Sequence, residues 1–219
     1  MRKLIVGAFT SLDGIMQAPG GPEEDPIGGF KFGGWATSYF DEAMGAAVGE
    51  MFSAPFDLLL GRKTYDIFAA HWPYAPSDDP IGPLFDRINK YVATRDQSFK
   101  TTWQNSHVLG ADAVAAVRRL KSEDGPSLLT QGSTEFLKSL FEHGLVDEIN
   151  VSIFPVVLGR GKRLFGDTSM PAALKLLSSR TSGTGVTVNR YVPAGDVVTG
   201  SFEFAQPTNA EFERRKNLT

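Results

Sequence analysis

Residues 57–65 decide the fold class, and they read Asp57-Leu58-Leu59-Leu60-Gly61-Arg62-Lys63-Thr64-Tyr65. An apolar run ends at a glycine, and two cations and a threonine follow before an amphipathic segment begins. Short apolar runs without alternation are typical of strands that are covered on both faces of a sheet. A strand followed at once by a helix is the building unit of a parallel sheet, so this stretch predicts an α/β fold.

Apolar runs and segments of helical period alternate along most of the chain, as they do around residue 61. We therefore predict a single α/β domain with a mostly parallel sheet and flanking helices. A Pro193-Ala194-Gly195-Asp196 turn between two apolar runs predicts an antiparallel hairpin at the C-terminal end. The predicted strands are Leu4 to Thr10, Phe56 to Leu60, Lys90 to Thr94, His107 to Leu109, Ser127 to Gln131, Glu148 to Val157, Val186 to Val192 and Val197 to Phe204.

Helix signals and turn formers occupy the remaining segments. The predicted helices run from Asp112 to Lys121, from Ser133 or Thr134 to Gly144, and from about Tyr39 to Phe52. Two segments rich in glycine and proline, Ala18 to Gly34 and Pro73 to Pro83, are predicted to be long loops. Loops of this length are often lids or walls of binding sites, and a passive surface loop is the alternative.

The composition limits the classes of function. With 219 residues, 42% of them hydrophobic, the chain can bury one substantial core, which we assign to residues 1–205, ahead of a polar tail at residues 206–219. The formal net charge of -3 argues against a nucleic-acid partner, and the absence of cysteine argues against a metal site. No stretch approaches the roughly 20 apolar residues of a membrane span, so we expect a cytoplasmic protein.

Three predicted strands end in residues that suit phosphate. Gly61 with Arg62, Lys63 and Thr64 follows one strand, and Gln131-Gly132-Ser133-Thr134 opens a helix after another. Thr94 and Arg95 end a third strand. Free N–H groups at a helix start and nearby cations bind anions, although a solvated cation beside a turn is the alternative. Because the carboxyl ends of parallel strands line one crevice, the three ends predict a ligand with several phosphates.

The usual nucleotide-binding motifs are missing: no G-x-G-x-x-G follows the first strand, and there is no Walker glycine loop. Other motifs are present: SLDG at 11–14, DLLLGRKTYDIFAAHWP at 57–73, KYVATR at 90–95, the glycine turn at 132, and GLVDEINVSIFPVVLGRGKRLF at 144–165. Through these motifs, over about residues 2–204, the chain resembles the dihydrofolate reductase-like family. Within that family it is similar to the reductase domain of the bifunctional riboflavin-biosynthesis deaminase/reductase, a 5-amino-6-(5-phosphoribosylamino)uracil reductase.

The resemblance implies an NADPH site built from the three strand ends. The implied cofactor-binding residues are Gly61, Arg62, Lys63, Thr64, Thr94, Arg95, Gln131, Gly132, Ser133 and Thr134, with Ala8 and Ile15 beside the nicotinamide. The family more often has two adjacent glycines where Gln131 and Gly132 stand. Trp35, Tyr65 and Phe68 are candidates to contact a planar substrate, and packing in the core is the alternative for each.

The implied activity is the transfer of hydride from NADPH to a small heterocyclic substrate, pterin-like or aminopyrimidine-like, as in riboflavin or folate metabolism. Asp13 matches an aspartate that the riboflavin-type reductases place beside substrate, and capping the turn before Gly14 is its alternative role. The helix position that carries a carboxylate in dihydrofolate reductase falls near Gly45, one turn after Asp41 and Glu42. A nucleotide-binding or drug-binding module without turnover is therefore the rival hypothesis. The resemblance also implies a homodimer built through the C-terminal strands.

Overall fold

The structure is a computed structural model that describes residues 1–166, 170–203 and 206–218. Its centre is one sheet of eight strands, in the order β4-β3-β2-β5-β1-β6-β8-β7. The strands are β1 (Leu4–Ser11), β2 (Phe56–Gly61), β3 (Lys90–Ala93), β4 (Ser106–Val108), β5 (Ser127–Thr130), β6 (Glu148–Phe154), β7 (Leu174–Thr181) and β8 (Thr187–Pro193). The first six run parallel, and β8 and β7 add an antiparallel pair at one edge. The predicted α/β fold with a mostly parallel sheet is confirmed.

Helices cover both faces of this sheet. They are α1 (Glu42–Met51), α2 (Arg62–His71), α3 (Gly82–Arg87), α4 (Ala113–Ser122), α5 (Thr134–Glu142) and α6 (Asn209–Lys216). Apolar residues of α4 and α5, such as Val117 and Leu137, share a core with Val6 of the central strand β1. The other face packs against α2 and α3 through Tyr65 and Phe85. Because both faces of the sheet are buried, the sequences of these strands are continuous apolar runs.

The C-terminal hairpin is antiparallel as predicted, but the predicted pairing of Val186–Val192 with Val197–Phe204 is wrong. In the structure β8 lies between β6 and β7, so both of its edges are already hydrogen-bonded and no edge is free for a later strand. Residues 197–203 form no strand, and Val198 is 92% exposed. Phe204 lies outside the described residues.

Strand β7 is absent from the predicted strands because its sequence shows no alternation. All eight of its residues are exposed, and the register shifts between Leu176 and Ser178, which interrupts the period of two. The remaining predicted strands each coincide with an observed strand to within a few residues. None of the described helices is long and apolar enough to cross a membrane.

Candidate functional site

A cavity of about 1380 Å³ opens at the carboxyl edge of the parallel strands, and residues from the ends of β2, β3 and β5 line it together. The sheet order brings β2 between β3 and β5, so strand ends that are far apart in sequence become neighbours. In open parallel sheets this edge is where ligands bind. The strand-end cavity therefore collects the candidate residues Gly61, Arg62, Lys63, Thr64, Thr94, Arg95, Gln131, Gly132, Ser133 and Thr134, together with Ala8 and Phe68.

Two helices point their N-terminal ends into this cavity. Helix α2 starts at Arg62 and α5 starts at Thr134, both within the cavity lining. Neither N-cap residue, Gly61 or Ser133, makes a side-chain hydrogen bond to its helix. The first N–H groups of both helices therefore remain available to an anion, and the helix dipoles favour negative charge there.

The turns after β2 and β5 are packed directly against each other. The N–H of Gly61 donates a hydrogen bond of 3.0 Å to the carbonyl oxygen of Gly132. A Cβ at Gly61 would lie 2.8 Å from the amide nitrogen of Ser133, and a Cβ at Gly132 would lie 2.7 Å from Oγ1 of Thr64. Gly132 also has a φ of +141°, which side-chain-bearing residues rarely adopt. Both glycines are thus needed for the contact between the two phosphate-type turns.

The cations that line the cavity differ in whether they already form ion pairs within the protein. The guanidinium of Arg62 donates to both carboxylate oxygens of Asp66 at 2.8 and 2.9 Å, and it lies 3.6 Å from the ring centre of Phe99. Lys63 and Arg95 have no ion-pair partner within the part of the chain that the structure describes. Asp96, which the sequence analysis did not single out, also lines the cavity and is 3.9 Å from Arg62. Arg62 therefore has less capacity for a ligand phosphate than Lys63 and Arg95.

Ile15, Trp35 and Tyr65 do not line the cavity. Ile15 is fully buried, and it belongs with Trp35 to a separate apolar cluster around Phe154. The indole N–H of Trp35 donates to the carbonyl oxygen of Gln17 at 2.8 Å. Tyr65 is 1% exposed, and its hydroxyl oxygen accepts from the backbone of Trp103. The packing alternative describes Trp35 and Tyr65, whereas Phe68 does line the cavity. The expected position of Ile15 beside the nicotinamide is not supported, because its side chain is fully buried outside the cavity lining.

Asp13 also lies outside the cavity lining, and its side chain connects the loop after β1 with the loop after β6. Its carboxylate accepts hydrogen bonds from the hydroxyl of Ser11 at 2.7 Å and from the backbone N–H groups of Leu158 and Gly159 at 3.1 and 2.9 Å. Burial raises the pKa of this carboxyl, but the three hydrogen bonds outweigh it and bring the pKa to about 2. At neutral pH Asp13 is an ionised acceptor whose two oxygens tie the loop after β1 to the loop after β6, and no backbone N–H of the residues that follow it in its own turn donates to it in the described chain.

The carboxylate at the start of α1 is likewise engaged elsewhere. Asp41 is the N-cap of α1, and its side chain accepts from the N–H of Met44 at 2.9 Å and from the N–H of Thr184 at 3.1 Å. Thr184 belongs to the turn between β7 and β8. The hydrogen bond from Met44 is the largest cause of a lowered pKa at Asp41. Neither Asp41 nor Glu42 lines the cavity.

Aromatic residues form a further part of the cavity lining, and most of them were not predicted from the sequence. Phe85 lies 5.3 Å from Phe52 and 5.2 Å from Trp72, measured between ring centres, and it stacks on Phe68 at 6.0 Å. All four rings line the cavity. We call them the aromatic wall. They come from the C-terminal end of α1, from α2 and α3, and from the turn between the last two, so no single stretch of sequence shows them together.

The loop between β1 and α1 also lines the cavity, in agreement with the interpretation of segment Ala18–Gly34 as a wall of a binding site. Ala18, Pro19, Gly20, Glu24 and Asp25 line the cavity. The loop is held by its own hydrogen bonds, including those from the Gln17 amide to the carbonyl oxygens of Asp25 and Ile27 at 2.9 Å each. Asp25 also forms an ion pair with Lys162, from the loop after β6.

Comparison with known proteins identifies the family of this chain. The profile of the RibD C-terminal domain matches residues 2–188. The chain belongs to this family. The Bacillus subtilis protein YyaP, whose function is uncharacterised, is 28% identical over 195 residues, which cover 84% of this chain and 92% of YyaP.

Solved structures with low sequence identity share the fold of this RibD C-terminal domain. A riboflavin biosynthesis protein from Shewanella sp. PV-4 superposes with a TM-score of 0.60 at 19% identity, covering 88% of this chain and 99% of that one. The Thermotoga maritima deaminase/5-amino-6-(5-phosphoribosylamino)uracil reductase gives 0.58 at 13% identity, with 88% and 57% covered. Enterococcus faecalis dihydrofolate reductase, complexed with NADP(H), gives 0.54 at 11% identity, with 87% and 96% covered. Family and fold both support a reductase-type role, as the resemblance implied.

Proposed function

We propose that this RibD C-terminal domain is an NADPH-dependent reductase that transfers a hydride to a small heterocyclic substrate of the pterin or aminopyrimidine type. The observation that carries the proposal is the convergence of three phosphate-type strand ends on one cavity. At about 1380 Å³ this cavity exceeds the roughly 300–1,000 Å³ typical of single small-ligand pockets. It has room for a dinucleotide and a second molecule together.

The donors in the cavity fit the charge distribution of NADPH. Two uncapped helix starts, at Arg62 and Thr134, suit the pyrophosphate, since each offers free N–H groups at the positive end of a helix dipole. Lys63 and Arg95 suit the adenosine 2′-phosphate as cations outside any ion pair in the described chain. Ala8, on the central strand, lines the cavity and leaves space beside the backbone for a flat ring.

Binding and orientation are then the main tasks of the protein. NADPH supplies the hydride when it is bound. The strand ends hold the cofactor's phosphates, and Phe52, Phe68 and Trp72, which pack on the fully buried ring of Phe85, hold a planar substrate against the cofactor. The loop Ala18–Gly34, part of which lines the cavity, limits the access of water.

A binding module without turnover is the second candidate. One observation favours it: the carboxylate of Asp41, at the start of α1, accepts hydrogen bonds from the N–H groups of Met44 and Thr184 and does not line the cavity. Such a module would bind a nucleotide or a drug in the same cavity without passing a proton to it.

Calorimetry with NADPH and NADH, followed by single-turnover assays, tests the proposal. We expect NADPH to bind at least 10-fold more tightly than NADH, and its absorbance at 340 nm to fall when a panel of pterins, aminopyrimidines and carbonyl compounds is added. Equal affinities for the two cofactors would contradict the assignment of NADPH. Tight NADPH binding without oxidation by any compound of the panel would favour the binding module.

A further inference from the structure

Among the residues that the structure describes, none gives the aromatic end of the cavity an unpaired cation for a phosphate. The cations that line the cavity in the described chain are Arg62, Lys63, Arg95 and Lys162, and the first three belong to the strand ends. Lys162 is held in an ion pair by Asp25. A phosphoryl group in a protein needs cations or free backbone N–H groups.

The starts of α1 and α3 are also capped by the protein's own aspartates. Asp41 caps α1 by accepting from the N–H of Met44. Asp79 accepts from the N–H groups of Ile81 and Gly82, at 2.7 and 2.9 Å, where α3 begins. Neither aspartate lines the cavity, but the backbone N–H groups that they accept from are no longer free to bind an anionic substrate group. These two helix starts thus differ from those of α2 and α5, which line the cavity and lack such caps.

Glu24 is a carboxyl group of the cavity lining that forms no ion pair within the described residues. Its Oε2 accepts from the N–H groups of Gly20 and Gly21, at 2.7 and 3.2 Å, which fixes the side chain against the loop. Its Oε1 has no hydrogen-bond partner within the described residues, and the residue lines the cavity. A carboxyl group with one oxygen anchored and the other free is placed to bind a ligand donor or acceptor.

Burial raises the pKa of Glu24 above 4.5, and this outweighs the opposing effect of the two backbone hydrogen bonds. The charged groups around it are Asp25, which raises its pKa further, and His71 at the end of α2, which lowers it. Lys162 faces the same loop, but its charge is paired with Asp25. A raised pKa increases the fraction of Glu24 that carries a proton near neutral pH.

We infer that the substrate is a planar aromatic heterocycle without a phosphate group, and that Glu24 binds its ring nitrogen and supplies that nitrogen with a proton. This inference rests on the proposed reductase function. The O–H bond of Glu24 breaks as an N–H bond forms, and the adjacent carbon of the C=N group takes a hydride, with its electron pair, from the reduced nicotinamide. Glu24 is left as a carboxylate, which the N–H groups of Gly20 and Gly21 stabilise until water returns the proton.

The first test measures binding of two probes by calorimetry at pH 7, to protein without cofactor and to protein saturated with NADP⁺. The probes are 2,4-diaminoquinazoline, which is planar and has a basic ring nitrogen, and uridine 5′-monophosphate, which carries a phosphate. Glu24→Gln removes the charge and the proton, and Glu23→Gln is the matched control, because Glu23 is an exposed carboxylate on the same loop outside the cavity lining.

We expect the quinazoline to bind the wild type and the Glu23→Gln variant equally, and the Glu24→Gln variant about 10- to 100-fold more weakly. Equal weakening in both variants, or no weakening in either, overturns the role of Glu24. Uridine 5′-monophosphate binding to the NADP⁺-saturated protein as tightly as the quinazoline overturns the unphosphorylated substrate. A failure of NADP⁺ itself to bind contradicts the proposed function, and the quinazoline titration without cofactor then still decides the role of Glu24.

The second test does not involve ligand binding or activity. Glutamate labelled with ¹³C at the carboxyl carbon is incorporated into the wild type, and the signal of Glu24 is assigned by its loss in the Glu24→Gln variant. We expect that signal to titrate with a midpoint above 4.5. A midpoint at or below 4.5 would show that Glu24 is an ordinary ionised carboxylate at neutral pH and would overturn its role as a proton source.

Discussion

The N–H of Gly61 donates a hydrogen bond of 3.0 Å to the carbonyl oxygen of Gly132, although 71 positions separate the two glycines in the sequence. This bond joins the turn that starts α2 to the turn that starts α5, so the two uncapped helix starts are held side by side. A ligand phosphate bound at one turn is therefore close to the other. The geometry of the proposed pyrophosphate site depends on this contact.

Replacing Gly132 by alanine should weaken both the fold and cofactor binding. The added Cβ would approach Oγ1 of Thr64 to 2.7 Å, and the residue would keep an unfavourable positive φ, so we expect a loss of about 1–3 kcal/mol in unfolding free energy. NADPH affinity should fall at least 10-fold. Urea denaturation and calorimetry measure the two effects.

Gly45→Ala is the control for that experiment. Gly45 lies inside α1, and a Cβ there would meet no atom within 4 Å, so alanine should raise the unfolding free energy by about 1 kcal/mol and leave NADPH binding unchanged. If Gly132→Ala keeps full stability and full affinity, the contact between the two turns does not shape the site.

Arg95 should determine the preference for NADPH more strongly than Arg62 does. Arg62 is held by Asp66 and Phe99, whereas Arg95 has no ion-pair partner in the described chain. We expect Arg95→Ala to lose about 10- to 100-fold in NADPH affinity with little change for NADH, because only NADPH carries the 2′-phosphate. Calorimetry with both cofactors measures this, and a larger selective loss for Arg62→Ala would reverse the ranking.

Asp13 should contribute to stability and not to cofactor binding. Asp13→Ala removes the acceptor of the Leu158 and Gly159 N–H groups, so we expect a loss of about 1–3 kcal/mol in unfolding free energy with unchanged NADPH affinity. The folded-state pKa of about 2 lies below the ordinary aspartate value of 3.8, so the stabilisation by Asp13 is present above pH 3.8 and is lost as the pH falls towards 2.

Denaturation of wild type and Asp13→Ala between pH 2 and pH 7 checks this dependence. The difference in unfolding free energy between the two proteins should shrink as the pH falls. Single-turnover hydride transfer that disappears in Asp13→Asn while stability and NADPH binding are preserved would restore Asp13 as a catalytic residue.

Glu24 should give the opposite pH dependence. Its pKa is raised in the folded state, so the folded protein favours the protonated side chain. The contribution of Glu24 to the unfolding free energy is therefore fully present below pH 4.5 and is lost as the pH rises above that value. Glutamine does not ionise. We therefore expect Glu24→Gln to gain stability relative to the wild type on going from pH 4 to pH 7, as measured by thermal unfolding. If Glu23→Gln gains the same amount of stability, the effect comes from the overall charge of the loop and not from the burial of Glu24.

The homodimer implied by the resemblance stays a prediction. Strand β7 is an edge of the sheet, and its Leu174, Leu176 and Leu177 are 39%, 49% and 47% exposed. Unpaired edges with exposed apolar side chains favour association with a second strand. We expect a dimer in sedimentation analysis and a monomer after Leu176→Lys combined with Leu177→Lys. A wild type that sediments as a monomer at all concentrations would contradict the prediction.

The sequence by itself determined the class of fold and the residues at the three strand ends. Both depend on local patterns: an apolar run, a glycine and a helix start lie within ten residues of one another, as at Leu58 to Arg62. Their gathering in one cavity also followed from the sequence, because parallel strands place their carboxyl ends at the same edge of a sheet. The packing alternative for Trp35 and Tyr65 was likewise visible, since large aromatic residues are usually buried.

Only the tertiary structure decided which of these side chains are free to act. Asp13 is engaged by residues 158 and 159, Asp41 by Thr184, and Lys162 by Asp25, and each partner lies more than 130 positions away in the sequence. Strand β7 forms on the edge of β8 without an alternating pattern, and the aromatic wall is assembled from separate helices. Long-range contacts of this kind depend on how elements pack in three dimensions, and no local pattern encodes them. Glu24 became a candidate for the same reason, because its burial and its free oxygen are properties of the folded loop.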